Sequence, residues 1–358
     1  MGACVSDENN DSNPDWKTQN SAPTKRKIYK LLLLGAGQSG KSTLCKHMQH
    51  LKGDGFTRAE KYDLIPIMRS NTVGYMQTLY TETINHADEK KKLQIPKELK
   101  NAFEEIERDE ENLFKLSEDL AQKIAELWKC EAIQDTFKRR SEFQLDDSAE
   151  YFIEKAETLA SSKYFPSEDD IIRNRVQTVG IIHTNVKFTV QDTEFEMIDV
   201  GGQQSERRKW GSAYSNISAV VFVCALSGYD STILEDEKTN RLEESLELFA
   251  TVVYNKELKD KPIILFLNKF DLFEQKIREE RTPITVCPLC KDYTGSPDST
   301  KESVRYIEKL FKGRVGKKRE LFVHRTVAID KRNVLKVFQS VKQSVLQEFL
   351  QEAGLIRI

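Results

Sequence analysis

The sequence lacks a long apolar run, a surplus of charge of either sign and a dense cysteine pattern. Its longest unbroken apolar stretch, Ala219 to Leu226, is far shorter than the roughly 20 residues of a membrane-spanning helix. No apolar secretory segment opens the chain. The 55 basic and 57 acidic residues nearly cancel, which argues against general nucleic-acid binding. Six scattered cysteines are typical of a reducing, cytosolic compartment. With 358 residues, the chain is expected to form one large or two globular domains.

A glycine-rich segment matches the phosphate-binding loop pattern G-x-x-x-x-G-K-[ST] over Gly35 to Ser42. It follows an apolar run, Ile28 to Leu34, that reads as a buried strand, and it opens a helical pattern. Glycines in such a loop let backbone N–H groups converge on phosphate oxygens at a helix N-terminus. We expect Lys41 to reach the β- and γ-phosphates, the Ser42 hydroxyl to bind Mg²⁺, and Thr43 to bond the α-phosphate.

A second motif, Asn268-Lys269-Phe270-Asp271, predicts which base is bound. The Asp271 carboxylate can accept from the guanine N1–H and the exocyclic amine, a donor pair that adenine lacks. We expect Asn268 to read the N7/O6 side, the Lys269 stem to pack on the base, and the Ala328 N–H to bond O6. Kinases and ATPases, which a phosphate loop alone leaves open, are therefore disfavoured.

Between these motifs lie residues suited to sensing and cleaving a γ-phosphate. Asp199 ends an apolar strand, where a carboxylate can hold Mg²⁺ through water. Gly202 lets its N–H approach the γ-phosphate, and Gln203 is positioned to orient the attacking water. Upstream, Thr178 is the candidate for a further Mg²⁺ ligand. Arg175 is the candidate for offsetting charge in the transition state.

The pattern of apolar residues predicts an α/β fold with an insertion. The interval between Lys41 and Asp199 far exceeds the helix, loop and strand that a minimal GTPase needs, and most of it has helical periodicity. We predict a Ras-like P-loop GTPase domain with a mostly parallel six-stranded sheet, formed by residues 28–56 and 174–358. Residues 57–173 form an inserted all-helical domain, and residues 1–27 a flexible segment. The six predicted strands are Ile28–Leu34, Val186–Val190, Phe195–Ile198, Ala219–Leu226, Ile263–Leu267 and Leu321–Val327.

These motifs resemble those of heterotrimeric G-protein alpha subunits over nearly all of residues 28–356. Asp199 to Trp210 is similar to that family's second switch, and Glu235 to Leu242 to its third. The resemblance implies that Asp147 and Ser148 of the helical insert face the nucleotide. It further implies a cycle in which a seven-helix receptor speeds GDP release. GTP then exchanges the βγ dimer for an effector, and regulators of G-protein signalling speed hydrolysis.

The motifs and the resemblance together give one predicted site that binds GTP or GDP with Mg²⁺. The resemblance also places Ile172 and Arg173 beside the ribose. The predicted catalytic residues are Gln203 and Arg175, and the predicted metal ligands are Ser42 and Thr178, with Asp199 acting through water. The predicted nucleotide-binding residues are Gln38, Ser39, Gly40, Lys41, Ser42, Thr43, Asp147, Ser148, Ile172, Arg173, Asn174, Arg175, Thr178, Asp199, Val200, Gly201, Gly202, Gln203, Asn268, Lys269, Phe270, Asp271 and Ala328.

Among the departures from the pattern of the family, one bears on nucleotide release and one on βγ docking. Gln38 stands where the family usually has Glu, so the salt bridge of that Glu with the switch arginine, here Arg175, is missing. We predict faster nucleotide release as a result. The amino terminus is shorter and poorer in helix-forming residues than the long amphipathic helix with which the family docks βγ.

The amino terminus carries a membrane signal of another kind. Met1 to Ser6 fits the myristoylation pattern, with Gly2 as the acceptor. One myristoyl chain binds membranes only marginally, so a second signal is needed. Palmitoylation of Cys4, or the basic cluster Lys25 to Lys27, can supply it. We therefore expect lipid anchoring at the cytoplasmic face of the plasma membrane.

Several alternatives stay open at this stage. A lipidated trafficking GTPase fits the motifs, but the third-switch segment and the helical insert argue against it. A self-activating switch, or a GTP-binding scaffold that neither cycles nor couples to βγ in the usual way, is the main alternative. Gln203 and Arg175 together argue against a scaffold without turnover. Cys287 and Cys290 have no second cysteine pair with which to complete a zinc site.

Overall fold

The computed structural model describes residues 28–86, 95–101, 115–182, 187–190, 193–236, 238–316 and 319–352. The predicted amino-terminal segment, with Gly2 and Cys4, lies outside these residues. Within them, no helix combines the length and the apolar content needed to cross a bilayer.

A mixed β-sheet forms the centre of the molecule. Five strands run parallel in the order β4-β1-β5-β6-β7, and β2 and β3 each pair antiparallel with a different part of β4. Nearly every residue of β1, β5 and β6 is buried, as expected when helices cover both faces of a parallel sheet. The strands are β1 (Ile28–Leu34), β2 (Ile181–Ile182), β3 (Lys187–Val190), β4 (Thr193–Val200), β5 (Ala219–Ala225), β6 (Ile263–Asn268) and β7 (Leu321–Arg325).

The prediction of six strands was wrong in its count. Each of the six predicted segments contains a strand, but only five are mutually parallel. The two-residue strand β2 was not predicted. It is too short to produce an alternating pattern in the sequence, and it exists because it pairs with the end of β4, where Ile181 lies opposite Val200.

Helices cover both faces of the sheet and form the insert. Helices α2 to α8 belong to the insert, and the other helices pack around the sheet. The helices are α1 (Lys41–Lys52), α2 (Arg58–Asp63), α3 (Ile65–His86), α4 (Glu118–Trp128), α5 (Glu131–Lys138), α6 (Ala149–Glu154), α7 (Ala156–Ala160), α8 (Glu168–Arg173), α9 (Gln204–Arg207), α10 (Arg241–Val253), α11 (Phe270–Arg278), α12 (Thr300–Lys312) and α13 (Lys331–Glu352).

Three apolar clusters hold these layers together. One packs α10, α11 and α12 on one sheet face through side chains such as Phe249 and Phe311, whose rings meet edge to face at 5.2 Å. A second packs α1 and α13 on the opposite face, with Met48 and Phe338 fully buried or nearly so. The third lies entirely within the insert, between Met68 and Ile171. A separate core of this kind is what a helical insert needs to fold as a unit. The predicted boundary residues themselves stay a prediction.

The parallel register brings the candidate functional residues to one edge of the sheet. Leu33 of β1 lies beside Asp199 of β4, and Ala225 of β5 lies beside Asn268 of β6. Because parallel strands end at the same edge, the loops that follow β1, β4 and β6 converge there. Residues 146–148 of the insert also lie at this edge.

Candidate nucleotide-binding site

A cleft lies at this edge of the sheet, between the loops that follow the strands and one face of the insert. It brings together most of the residues predicted from the sequence. Those that line it are Gln38, Ser39, Gly40, Lys41, Ser42, Thr43, Asp147, Ser148, Arg173, Asn174, Arg175, Thr178, Val200, Gly202, Gln203, Asn268, Lys269, Asp271 and Ala328.

Four predicted residues do not line the cleft. Asp199, at 2% exposure, lies behind Ser42, and Ile172, at 3%, is buried in α8. Gly201 is covered by Glu206 and by the main chain of Thr178. Phe270 stacks on other side chains of its own domain. Sequence position alone could not separate these residues from their neighbours, because each adjoins a residue that does line the cleft.

The phosphate loop has a backbone that only glycine accommodates at two places. Gly35 and Gly40 have φ angles of 146° and 98°, where a side chain is strained. A Cβ on Gly40 would also overlap the Asn268 amide, and one on Gly35 would overlap a carbonyl of β5. These constraints explain why the loop carries glycine at both ends.

Lys41 is held by the loop that it completes. Its ammonium donates to the carbonyl oxygens of Gly35 and Ala36, at 2.9 Å each. Burial lowers the pKa of Lys41 to about 8, and the nearby Asp199 carboxylate opposes that shift. A buried, fixed ammonium beside a cradle of N–H groups is suited to an anionic phosphate chain.

Ser42, Thr178 and Asp199 form a cluster of oxygen atoms at the cleft. The Ser42 Oγ lies 2.7 Å from the Thr178 Oγ1 and 2.6 Å from the Asp199 Oδ2. The other carboxylate oxygen of Asp199 is buried without a hydrogen-bond partner. Burial raises the pKa of Asp199, with Lys41 acting in the opposite direction. Hard oxygen donors with a buried carboxylate fit Mg²⁺.

At the opposite end of the cleft, Asn268 joins three segments. Its Nδ2 donates to the Ser39 carbonyl at 2.8 Å, and its Oδ1 accepts from the Thr326 hydroxyl at 2.9 Å and the Ala328 N–H at 3.2 Å. Asn268 thus connects the phosphate loop to the loop after β7 by hydrogen bonds. The sequence motif did not reveal this structural role. Its predicted contact with the base stays a prediction.

Asp271 lies at the same end of the cleft. Lys269 adopts a left-handed backbone conformation, with φ 57°, and so turns the chain sharply before α11. Asp271 lies in the first turn of that helix and lines the cleft. Burial raises the pKa of its carboxyl group. The ionised form accepts two hydrogen bonds, as the predicted contact with guanine requires.

The insert contributes part of a polar loop, residues 146–148, to the cleft. Asp147 pairs with Lys269. Burial by itself would raise the pKa of Asp147, but the charge and hydrogen bond of Lys269, together with the charges of Lys276 and Arg241, lower it. Asp146 pairs with Arg175, with 3.6 Å between Oδ2 and Nη1. Gln144 accepts from Arg241. The insert therefore contacts three cations of the domain that contains the sheet. Lys269 and Arg175 line the cleft, and Arg241 lines a smaller pocket beside it.

Gln38 and Arg175 have separate partners, and no ion pair joins them. The Gln38 Oε1 accepts from the Arg241 Nη1 at 2.6 Å, whereas Arg175 faces the insert. This arrangement agrees with the prediction that Gln38 and Arg175 form no salt bridge. The sequence did not reveal that Asp146 supplies another anion to Arg175.

Gln203 stands at the start of α9 and faces the switch residues. Its Oε1 accepts from the Gln177 Nε2 at 2.6 Å, and its side chain passes close to Gly37 of the phosphate loop. Beyond it, Arg207 pairs with Glu244 of α10 at 2.6 Å. This pair links the second-switch segment to α10, the helix that begins at the end of the third-switch segment.

Some residues that line the cleft were not predicted from the sequence. They are Gly37, Lys46, Asp146, Val176, Gln177, Leu272 and Ile329. Lys46 is the most informative, because its ammonium donates to the Asn174 carbonyl at 2.7 Å and burial lowers its pKa to about 8. It lies four residues after Ser42 in α1, a spacing that puts both residues on one face of the helix, and this was the available signal.

The parallel sheet, the phosphate loop and the guanine-type motif at a strand end define a P-loop nucleotide-binding protein with a helical insert. A family model described as the G-protein alpha subunit matches residues 6–345, and the chain belongs to the family of heterotrimeric G-protein alpha subunits.

Curated relatives agree with this assignment over nearly their whole length. The chain is 36% identical to a guanine nucleotide-binding protein alpha-7 subunit of Caenorhabditis briggsae, covering 99% of this chain and 100% of the relative. It is 38% identical to G(o) alpha subunits of Caenorhabditis elegans and Locusta migratoria. Each of these matches covers 92% of this chain and 91% of the relative.

Proposed function

We propose that the protein is a signalling switch that binds GTP and GDP with Mg²⁺ and hydrolyses GTP to GDP and phosphate. The observation that carries the proposal is the meeting of Ser42, Thr178 and Asp199 in one oxygen cluster. It joins the phosphate loop, the segment that carries Thr178 and the end of β4, and Arg175 and Gln203 line the same cleft. A γ-phosphate bound there would contact all three segments at once.

Binding rests on residues at the two ends of the cleft. Lys41 and the N–H groups of the phosphate loop bind the phosphates. Asp271 and the Ala328 N–H select guanine, while Asn268 keeps the two ends in register. Mg²⁺, held by Ser42 and Thr178 with Asp199 acting through water, would supply positive charge beside the β- and γ-phosphates.

Hydrolysis rests on Gln203 and Arg175. Gln203 orients a water for attack on the γ-phosphorus, in line with the bond to the GDP leaving group, and the Arg175 guanidinium offsets the negative charge that develops in the transition state. An arginine supplied within the same chain is the established arrangement in this family. Arg175 therefore takes its proposed role from the family as well as from its place in the cleft.

The proposed partners follow from the family membership. They are a seven-helix receptor that promotes exchange, the βγ dimer, regulators of G-protein signalling that promote hydrolysis, and an effector. We place the protein at the cytoplasmic face of the plasma membrane, anchored by myristate on Gly2 and palmitate on Cys4. Radiolabelled myristate and palmitate incorporation into wild type, Gly2→Ala and Cys4→Ser would test the anchor.

GTPγS uptake and single-turnover GTP hydrolysis of the purified protein test the function. We expect slow uptake, hydrolysis by the wild type, and loss of hydrolysis in Gln203→Leu with uptake retained. Uptake without hydrolysis in the wild type would contradict the GTPase and favour a non-cycling scaffold. Uptake faster than hydrolysis would favour a self-activating switch controlled by regulators of hydrolysis.

A further inference from the structure

Among the residues that the structure describes, the only carboxylate paired with Arg175 comes from the helical insert. The Arg175 Nη1 lies 3.6 Å from the Asp146 Oδ2. On the phosphate loop, Gln38 offers Arg175 no anion, and its amide oxygen already accepts from Arg241. The arginine that we place in catalysis is therefore held from across the cleft.

Asp146 is fixed in the orientation that this contact needs. Its Oδ1 accepts from the Ser148 N–H at 2.9 Å, which leaves Oδ2 directed at Arg175. The Ser148 hydroxyl donates to the Arg173 carbonyl at 3.0 Å. The loop that carries the carboxylate is thus bonded to the segment that carries the guanidinium.

The backbone at Arg175 is also held by the insert. The Asn71 Nδ2, on α3, donates to the Arg175 carbonyl at 2.8 Å and to the Asn174 Oδ1 at 2.9 Å. A long arginine side chain loses much rotamer freedom when it is fixed, and contacts made before the reaction lower that loss during it. Asn71 therefore holds the main chain of Arg175, and Asp146 holds its guanidinium group.

We propose that Asp146 is a positioning residue for Arg175, so that the insert must be closed over the cleft for GTP to be hydrolysed efficiently. This inference rests on the proposed GTPase function. The guanidinium has five N–H donors, so the one that faces Asp146 leaves others for the phosphates. When the insert moves away, Arg175 loses its side-chain partner and its main-chain partner together.

Single-turnover hydrolysis by full-length protein preloaded with GTP tests the proposal, because full loading removes differences in affinity. We expect Asp146→Asn to slow hydrolysis about fivefold, near the upper end for an ion pair whose arginine side chain is 34% exposed. Asp146→Glu keeps the charge and should recover most of the rate. The control is Glu280→Gln, which breaks another insert-to-core ion pair, with Arg140 at 2.6 Å. It should hydrolyse at the wild-type rate.

The double variant Asp146→Asn/Arg175→Gln separates positioning from general damage. If Asp146 acts through Arg175, adding Asp146→Asn to Arg175→Gln should leave the rate unchanged. A further fivefold loss in the double variant, an equal loss in Glu280→Gln, or no loss in Asp146→Asn would overturn the proposal. If Arg175→Gln alone hydrolyses GTP at the wild-type rate, both the catalytic role of Arg175 and this proposal are wrong. If Arg175→Gln is slow but Asp146→Asn hydrolyses at the wild-type rate, only the positioning role of Asp146 is wrong.

Discussion

The amide nitrogen of Asn268 donates to the carbonyl oxygen of Ser39 at 2.8 Å, so the base-reading motif and the phosphate loop are joined directly. The two residues are 229 positions apart in sequence. Asn268 is 1% exposed, and a buried amide of this kind is costly to leave unpaired. This buried hydrogen bond therefore holds the two segments in a fixed position relative to each other.

Gly40→Ala should abolish nucleotide binding, because the added Cβ would overlap the Asn268 amide where φ is already 98°. Gly55→Ala is the matched control, since its φ of 71° is also strained but its Cβ would meet nothing within 4 Å. We expect the control to lose about 1 kcal/mol of stability and to keep GTPγS binding. Equal GTPγS binding by the two variants would refute the steric explanation.

Gln38→Glu should slow GDP release. Its amide oxygen accepts from the Arg241 Nη1 at 2.6 Å, and a carboxylate there would turn this contact between a cation and a neutral amide into an ion pair. Arg241 also binds Gln144 of the insert, so a firmer hold on Arg241 should keep the insert closed. We expect a decrease in the GDP off-rate of about threefold to tenfold, measured by release of a fluorescent GDP analogue. An off-rate equal to that of the wild type would count against the link between Gln38 and release.

Asp271 should make guanine binding sensitive to acid. Burial raises the pKa of this carboxyl group above its ordinary value of 3.8. Only the ionised form accepts both guanine donors, so affinity should be complete above this pKa and fall as the pH drops through it. GDP affinity measured from pH 8 down to the limit of folding checks this. Asp271→Asn should remove that pH dependence and favour xanthine, whose C2 carbonyl can accept from the new amide.

Asp170 should stabilise the insert in a pH-dependent manner. Its carboxylate accepts from Lys155 at 2.6 Å, Tyr151 at 2.8 Å and Tyr164 at 2.9 Å, and it caps α8 through Ser167. Although burial opposes the shift, these bonds lower the pKa of Asp170 from 3.8 to about 2. A shift of this size corresponds to about 2 kcal/mol.

The sign follows from the depressed pKa. The contribution of Asp170 is complete above the unfolded value and is lost as the pH falls through the folded one. Urea unfolding should therefore show Asp170→Asn less stable by about 2 kcal/mol at pH 7, with the difference shrinking below pH 4. Asp169→Asn, at the exposed neighbouring position, is the control, and we expect it to change stability by less than about 0.5 kcal/mol. A difference that stays constant down to pH 3 would rule out ionisation as its origin.

Much of the sheet and of the cleft could be predicted because each motif is contiguous. A run such as Ile263 to Leu267 predicts a buried strand, and polar residues directly after it must lie at the edge where the parallel strands end. The predicted residues that do not line the cleft, such as Phe270, show the limit of this reasoning. A motif fixes where a segment lies, but packing decides which way each of its side chains points.

The sequence by itself determined the family, the phosphate loop, the guanine motif and the presence of a helical insert, because local patterns of apolar residues and glycines encode them. The tertiary structure alone decided that Asp146 pairs with Arg175 and that Arg241, 203 positions away, binds Gln38. Such contacts join segments whose distance depends on how the insert packs against the sheet. That packing arises from three separate apolar clusters, which no short pattern in the chain encodes.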